Sequence, residues 1–266
     1  MTHEPAGGRI LTESDGKGIT TVRIDNPAHR NALNDGLINQ LIDAFRACAK
    51  DDTCRVVVLR GTNGIFCAGR ELRDLVKLQS APIETVEATY HYLRQLNEAV
   101  YYCPKPTVAV VEKYAFGAGA TVLSWVDIAI GETDAFVAYP EVHHGITPSP
   151  AVMALIRGVS RKNVMDLLMT GRRVEMPEAV QMGLVNRAVD RSALDAELAR
   201  ITAALVRGSP DAQRRTKEFI WQCEDAGLRS GMETAVQSIS VGLLSPQARD
   251  GIGAFLERRL PAWMPR

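Results

Sequence analysis

The sequence predicts an α/β protein, with a spiral, mainly parallel strand–helix core followed by a helical C-terminal region. Three observations carry this reading. Val56-Val57-Val58-Leu59, Thr107-Val108-Ala109-Val110-Val111 and Ile128-Ala129-Ile130 are continuous aliphatic runs rich in β-branched residues, as expected of strands covered on both faces. Amphipathic helical stretches alternate with them, the pattern of a parallel sheet. After about Ser192 the strand signals stop, and helical patterns run to Arg259.

Taken in order, Ile10–Ser14 and Ile19–Ile24 flank Asp15-Gly16-Lys17-Gly18, which reads as a β-hairpin. Asn34 is placed to cap a helix whose Leu37, Ile38, Leu41, Ile42, Phe45 and Cys48 form one apolar stripe. A second helix is expected over Glu84–Tyr102, with Val86, Tyr90, Leu93, Leu96 and Val100 on one side. Pro104 and Pro106 close it. Ala118–Trp125 reads as a short buried helix that opens in a glycine turn. Gly208-Ser209-Pro210, Gly227 and Ser245-Pro246 interrupt the C-terminal helices. The chain is therefore divided into a core, 1–191, and a helical region, 192–266.

Composition narrows the function. Of 266 residues 46% are apolar, and 31 Lys+Arg balance 31 Asp+Glu. A neutral chain argues against nucleic-acid or polybasic membrane partners. Met1 to Arg9 lacks the apolar core of a signal peptide, and no run approaches the ~20 apolar residues of a membrane helix. Cys48, Cys54, Cys67, Cys103 and Cys223 are odd in number and form no CxxC pair. That favours a reduced cytoplasmic protein over a disulfide framework or a zinc site.

Three short segments carry the chemistry. Phe66-Cys67-Ala68-Gly69 and Phe116-Gly117-Ala118-Gly119-Ala120-Thr121 are small-residue turns, each able to expose a backbone N–H, and Tyr139-Pro140-Glu141-Val142 supplies a carboxylate. Two converging N–H donors can hold a developing oxyanion. A nearby carboxylate can move a proton on the adjacent carbon. Alone, a Gly-Ala-Gly is more often a simple turn, and a Glu after proline is more often a surface group. It is the combination that points to enolate chemistry.

With Asn26-Pro27-Ala28-His29-Arg30-Asn31-Ala32-Leu33-Asn34, Pro104-Lys105-Pro106-Thr107, Asp127-Ile128-Ala129-Ile130 and Gly183-Leu184-Val185-Asn186, this ordered set resembles the enoyl-CoA hydratase/isomerase (crotonase) superfamily from about Ile10 onward. The resemblance implies a crotonase-like spiral of ββα units and C-terminal helices that assemble a homotrimer or homohexamer. It implies an acyl-CoA thioester substrate whose CoA is a handle, with no separate cofactor and no metal. The Ala68 and Ala118 N–H groups match the family's oxyanion donors. Arg30 and Ala32 fall in the segment near the CoA pantetheine and phosphates, and Ala68, Gly69, Arg70 and Leu72 in the loop near the adenine end. Gly117 shapes the second turn. Tyr114 can hydrogen-bond near the pocket, although half-buried packing is its more ordinary role. The acyl wall is expected from Leu72–Leu78, Trp125 and Ile146–Ile156.

Family hydratases use two glutamates. The second corresponds to Glu141, whereas Thr121 stands at the first. Water addition needs one group to orient water and take its proton, and a proton for carbon. Double-bond migration needs a single carboxylate, so Thr121 with Glu141 favours isomerase, with hydratase as the alternative. A non-catalytic acyl-CoA-binding subunit is a third reading. His143 and His144 read as surface or supporting groups, and Asp127 and Asp134 as structural. Glu71 can face the pocket or solvent. Cys67 has no activating base in view.

Overall fold

The computed structural model describes residues 7–224 and 226–264. The reading of Met1 to Arg9 therefore lies, for residues 1–6, outside the described residues. β1 (Arg9–Ser14) and β2 (Ile19–Asp25) form the expected hairpin. Asp15 Oδ1 closes its turn by accepting from the Lys17 and Ile19 amides at 2.7 and 2.9 Å. α1 (Asp35–Lys50) follows; Asn34 Oδ1 caps it by accepting from Leu37 N at 2.9 Å, and its buried side chains are the six of the predicted stripe.

β3 (Val56–Gly61) leads to a loop and to α2 (Leu72–Leu78), a helix the sequence reading did not resolve. α3 (Ile83–Tyr101) covers the second expected helix. Its C-terminal half buries Leu93, Leu96, Asn97 and Val100, while Tyr90 and the first turns stay largely exposed. β4 (Thr107–Val111), β5 (Tyr114–Phe116), α4 (Ala118–Leu123), β6 (Ile128–Glu132) and β7 (Phe136–Ala138) come next. Then follow α5 (Ser149–Gly158), α6 (Arg161–Thr170), β8 (Val174–Glu175), α7 (Met176–Met182) and β9 (Arg187–Val189). The C-terminal helices are α8 (Leu194–Arg207), α9 (Pro210–Glu224), α10 (Leu228–Leu243) and α11 (Pro246–Glu257).

The main sheet has the order β1-β2-β3-β4-β6-β9, parallel except for the β1–β2 pair, and β5-β7-β8 form a second, small sheet. Side chains alternate between sheet faces. Val57, Leu59, Ala109 and Val111 join the core that also holds the buried side of α1 and α3. Val56, Val58, Val108, Val110 and Ile130 cluster instead with Leu194, Ile201 and Val206 of α8. Both faces are thus covered, which explains the unbroken aliphatic runs. It also qualifies the boundary drawn between 191 and 192: α8 completes the sheet's packing and belongs with the core.

Candidate active site

The site forms where chain leaves the carboxyl ends of β3, β5 and β7. Two asparagines fix the first loop. Asn26 Nδ2 donates to Ala32 O at 2.9 Å, and Asn26 N donates to Asn31 Oδ1 at 2.9 Å. Asn31 Nδ2 reaches the Thr62 and Ile65 carbonyls at 3.0 and 2.7 Å. Leu33 N then donates to Gly69 O at 2.7 Å, and Glu71 N to Leu33 O at 3.0 Å. Cys67 N donates to Tyr114 O and Phe116 N to Cys67 O, at 3.3 and 3.0 Å. The Ala68–Gly69 turn is therefore held between the 26–34 segment and β5. A buried Asn with every group paired specifies one loop geometry.

Gly69 has φ +93°, and a Cβ there would meet Phe116 O at 2.8 Å and Ala118 N at 3.5 Å. The two turns are thus packed against one another. Gly117 has φ +53°. Gly119 is a glycine for a different reason than the sequence suggested: its φ is ordinary, but a Cβ would collide with Cys67 Cβ at 2.6 Å. It lets α4 approach the first turn. The first intrahelical bond of α4 is Thr121 N to Gly117 O, 2.9 Å. Among the described residues, neither Ala68 N nor Ala118 N donates to a protein acceptor.

Glu141 lies in a 3-10 turn, Pro140–His144, tied back by Ile146 N donating to Glu141 O at 3.0 Å. Tyr139, fully buried, anchors this turn to α4: its hydroxyl lies 2.7 Å from Ser124 Oγ and donates to Ala120 O at 3.3 Å. Gly117 N donates to Ala138 O at 2.9 Å. Glu141 Oε2 is buried without a hydrogen-bond partner. Burial pushes the Glu141 carboxyl above its usual range, with its own backbone N–H and the charge of His144 partly opposing.

These parts line one cleft of about 220 Å³. Of the residues singled out in the sequence, Ala68, Gly69, Arg70, Leu72, Gly117, Ala118, Thr121 and Glu141 all line it. Thr121 is buried and donates its hydroxyl proton to Gly117 O at 3.2 Å. Arg70 is ion-paired with Asp35, Nη1 to Oδ1 2.8 Å. Among the described lining residues Glu141 is the one carboxylate.

Other singled-out residues lie beyond or beside this cleft. Arg30 is exposed, in the left-handed region at φ 54°, and it does not line the cleft; nor does Ala32. Tyr114 stacks on Phe136, ring centroids 5.4 Å apart, away from the lining. Glu71 lies 3.4 Å from His29 Nδ1 and turns from the cleft. The apolar wall of the cleft comes from Leu72, Leu75, Ile146 and Ala151, joined by Tyr90, Leu93 and Phe116, whereas Trp125 lines a neighbouring cavity. His144 borders the cleft, with Nδ1 3.3 Å from Pro140 O; His143 instead points its Nε2 to Thr170 O at 2.6 Å.

Asp127 is structural, accepting from Thr107 N, Thr107 Oγ1 and Lys217 Nζ. Cys67 is buried, and desolvation pushes its thiol up to about 12, which removes it as a nucleophile. Among the described residues no three His, Cys, Asp or Glu side chains are grouped to hold a metal, and no helix is long and apolar enough to cross a membrane. Tyr90 was not anticipated in the cleft wall, because only tertiary folding brings α3 there, whereas His144, read as a surface or supporting group, borders the cleft.

Comparison with known proteins agrees with this architecture. Residues 14–266 match the family model described as enoyl-CoA hydratase/isomerase. The chain is 30% identical over 251 residues to the 2,3-dehydroadipyl-CoA hydratase of Escherichia coli (strain K12), covering 93% of this chain and 96% of that one. It superimposes on the crystal structure of a Mycobacterium smegmatis enoyl-CoA hydratase with TM-score 0.90 at 30% identity, covering 98% and 100% of the two chains. An enoyl-CoA hydratase from Polaromonas sp. JS666 gives TM-score 0.90 at 27% identity, covering 96% and 99%. Matched by the family model over nearly its whole length, this chain belongs to the enoyl-CoA hydratase/isomerase family.

Proposed function

We propose that this enzyme shifts a double bond in an acyl-CoA thioester, with Glu141 as its acid/base and the Ala68 and Ala118 N–H groups as an oxyanion hole. The observation that carries the reading is the single carboxylate in the described cleft wall, its Oε2 unpartnered, beside two turns with undonated amides. Glu141 removes a proton from C2 of a 3-enoyl thioester. The C–H electron pair delocalises into the thioester, and the two N–H groups stabilise the negative oxygen. The same carboxyl returns the proton at C4, which yields the 2-enoyl thioester. The reaction needs no cofactor beyond the CoA that the substrate carries.

Hydration of a 2-enoyl thioester is the second reading, favoured by the hydratase names of the relatives. Against it, the Thr121 proton is committed to Gly117 O, and a threonine is a poor proton acceptor near neutral pH. Turnover of 3-enoyl, 2-enoyl and ring CoA thioesters by the purified protein separates the two. Exchange of C2 hydrogens on an acyl-CoA tests both against a non-catalytic binder, which exchanges none. Assembly into a trimer or a pair of trimers belongs to the same proposal. It is supported by the apolar side chains that α10 and α11 expose.

A further inference from the structure

Glu141 and His144 belong to one 3-10 turn, Pro140–His144. Such a turn has three residues per revolution, so side chains at i and i+3 eclipse. Both accordingly line the same cleft. His143 is set off from that face, and its Nε2 meets Thr170 O of α6 at 2.6 Å instead. The turn thus splits the two histidines, one toward α6 and one toward the site.

The His144 ring folds back over its own turn, with Nδ1 3.3 Å from Pro140 O. A carbonyl oxygen only accepts, so Nδ1 carries the hydrogen, and in neutral imidazole Nε2 is left with a free lone pair. Histidine is also the side-chain type that takes and gives protons near neutral pH. His144 is exposed, whereas Glu141 Oε2 is buried without a partner. The charge of His144 acts on the Glu141 carboxyl. One titratable ring therefore borders both the cleft and solvent, next to a carboxyl whose Oε2 has no contact with water. Thr121 and Arg70, also in the wall, are engaged with Gly117 O and Asp35.

We infer that His144 is a proton relay between Glu141 and solvent. This rests on the double-bond migration proposed above and deepens it. When Glu141 takes the C2 proton, the C–H electron pair stays in the dienolate and the carboxyl becomes neutral. The carboxyl passes that proton, through water in the cleft, to the Nε2 lone pair of His144. The imidazolium releases it to solvent, and its Nδ1–H stays on Pro140 O throughout. A solvent proton returns by the reverse path, and Glu141 delivers it to C4. One substrate hydrogen leaves into water, one solvent hydrogen enters the product, and nothing is oxidised or reduced. His144 acts through Glu141 and touches no reacting carbon.

The test is isotopic partition, which a merely structural role for His144 would not move. A 3-enoyl-CoA thioester is turned over in D2O to low conversion, at a pH where the rate is flat. Mass spectrometry and NMR give the deuterium at C4 of the 2-enoyl product per turnover. The greater part of the wild-type product should carry it. His144→Gln keeps hydrogen bonding but cannot carry a proton, and should lower deuterium per turnover at least about tenfold, whatever its effect on rate. His144→Ala should do the same, and added imidazole should restore the incorporation. Equal deuterium per turnover in wild type and His144→Gln, or a wild type that delivers the substrate's own hydrogen to C4, would overturn the relay and leave the isomerase reading intact. A wild type with no 3-enoyl turnover would overturn both.

Discussion

Gly117 and Glu141 face each other so closely that a Cβ on Gly117 would stand 3.4 Å from Glu141 Oε1. That contact is an ordinary one. The strain in Gly117→Ala comes from the backbone, because φ 53° with ψ −119° is a conformation L side chains rarely adopt. Holding it costs about 1–3 kcal/mol, and relaxing it moves both Ala118 N and the carboxylate's neighbour. Gly117→Ala should lower Tm by several degrees and reduce turnover by about 100-fold, as small misplacements of reacting groups do. Thermal melting and steady-state kinetics check the two effects. Wild-type turnover in a folded variant would mean that the turn does not position the reacting groups.

Glu141→Gln keeps size and hydrogen-bonding capacity but removes basicity. Turnover should fall at least ~100-fold, with little change in acyl-CoA binding by calorimetry. Stability should move the other way. Burial raises the Glu141 pKa in the folded state, so between the unfolded and folded values the folded chain binds more protons. Stability contributed by this group is present below the unfolded pKa and is lost as pH rises through the folded one. The variant should therefore melt above the wild type at neutral pH, and the difference should close as the pH falls below the ordinary carboxylate range. A variant no more stable at pH 7 would contradict the burial argument.

The same shift sets a pH profile. A base must be ionised, so the acid limb of kcat/KM should lie above the ordinary Glu value of ~4.3. The charge of His144 holds the carboxyl down against desolvation. Removing it by His144→Ala should carry the acid limb to higher pH. An acid limb at the ordinary value, unmoved by His144→Ala, would assign the limb to another group.

Much of this fold is legible because the information is local or periodic. The α1 stripe, its Asn34 cap and the aliphatic strands each follow from spacing alone. The site is legible only as a set, through the order of its turns and Glu141. What escaped is tertiary. α2 exposes Leu72 and Val76, so no clean amphipathic stripe announces it. Asn31 stood in the sequence as one letter of a motif, and proves to pin a loop distant in the chain through the Thr62 and Ile65 carbonyls. Gly119 looked like a turn glycine and proves to be a packing glycine, a distinction that depends on Cys67 from another loop.

The C-terminal helices leave Leu228 86%, Phe255 84% and Leu256 75% exposed. Apolar groups so concentrated mark an interaction surface. Light scattering at micromolar concentration should report a trimer or twice that mass, and Phe255→Asp with Leu256→Asp should shift it toward monomer. A monomeric wild type would refute the assembly proposal.

The sharpest division between isomerase and hydratase runs through Thr121. Its hydroxyl lies in the cleft wall, buried, with its proton on Gly117 O at 3.2 Å. A lone pair could still accept a hydrogen bond from a substrate water, but the group cannot take a proton near neutral pH. If Glu141 moves a proton between C2 and C4, Thr121 touches no reacting atom, and Thr121→Ala should leave 3-enoyl turnover within a few-fold of wild type. The lost Gly117 contact is then a stability effect of about 1 kcal/mol, visible in Tm. If water addition is the reaction, removing its second anchor should cost 2-enoyl turnover at least tenfold, because the water must be oriented as well as deprotonated. Kinetics of Thr121→Ala and Glu141→Gln on both thioester types decide this. The isomerase reading expects Glu141→Gln to abolish 3-enoyl turnover while Thr121→Ala spares it, and equal losses in both variants on the 2-enoyl substrate would install the hydratase in its place.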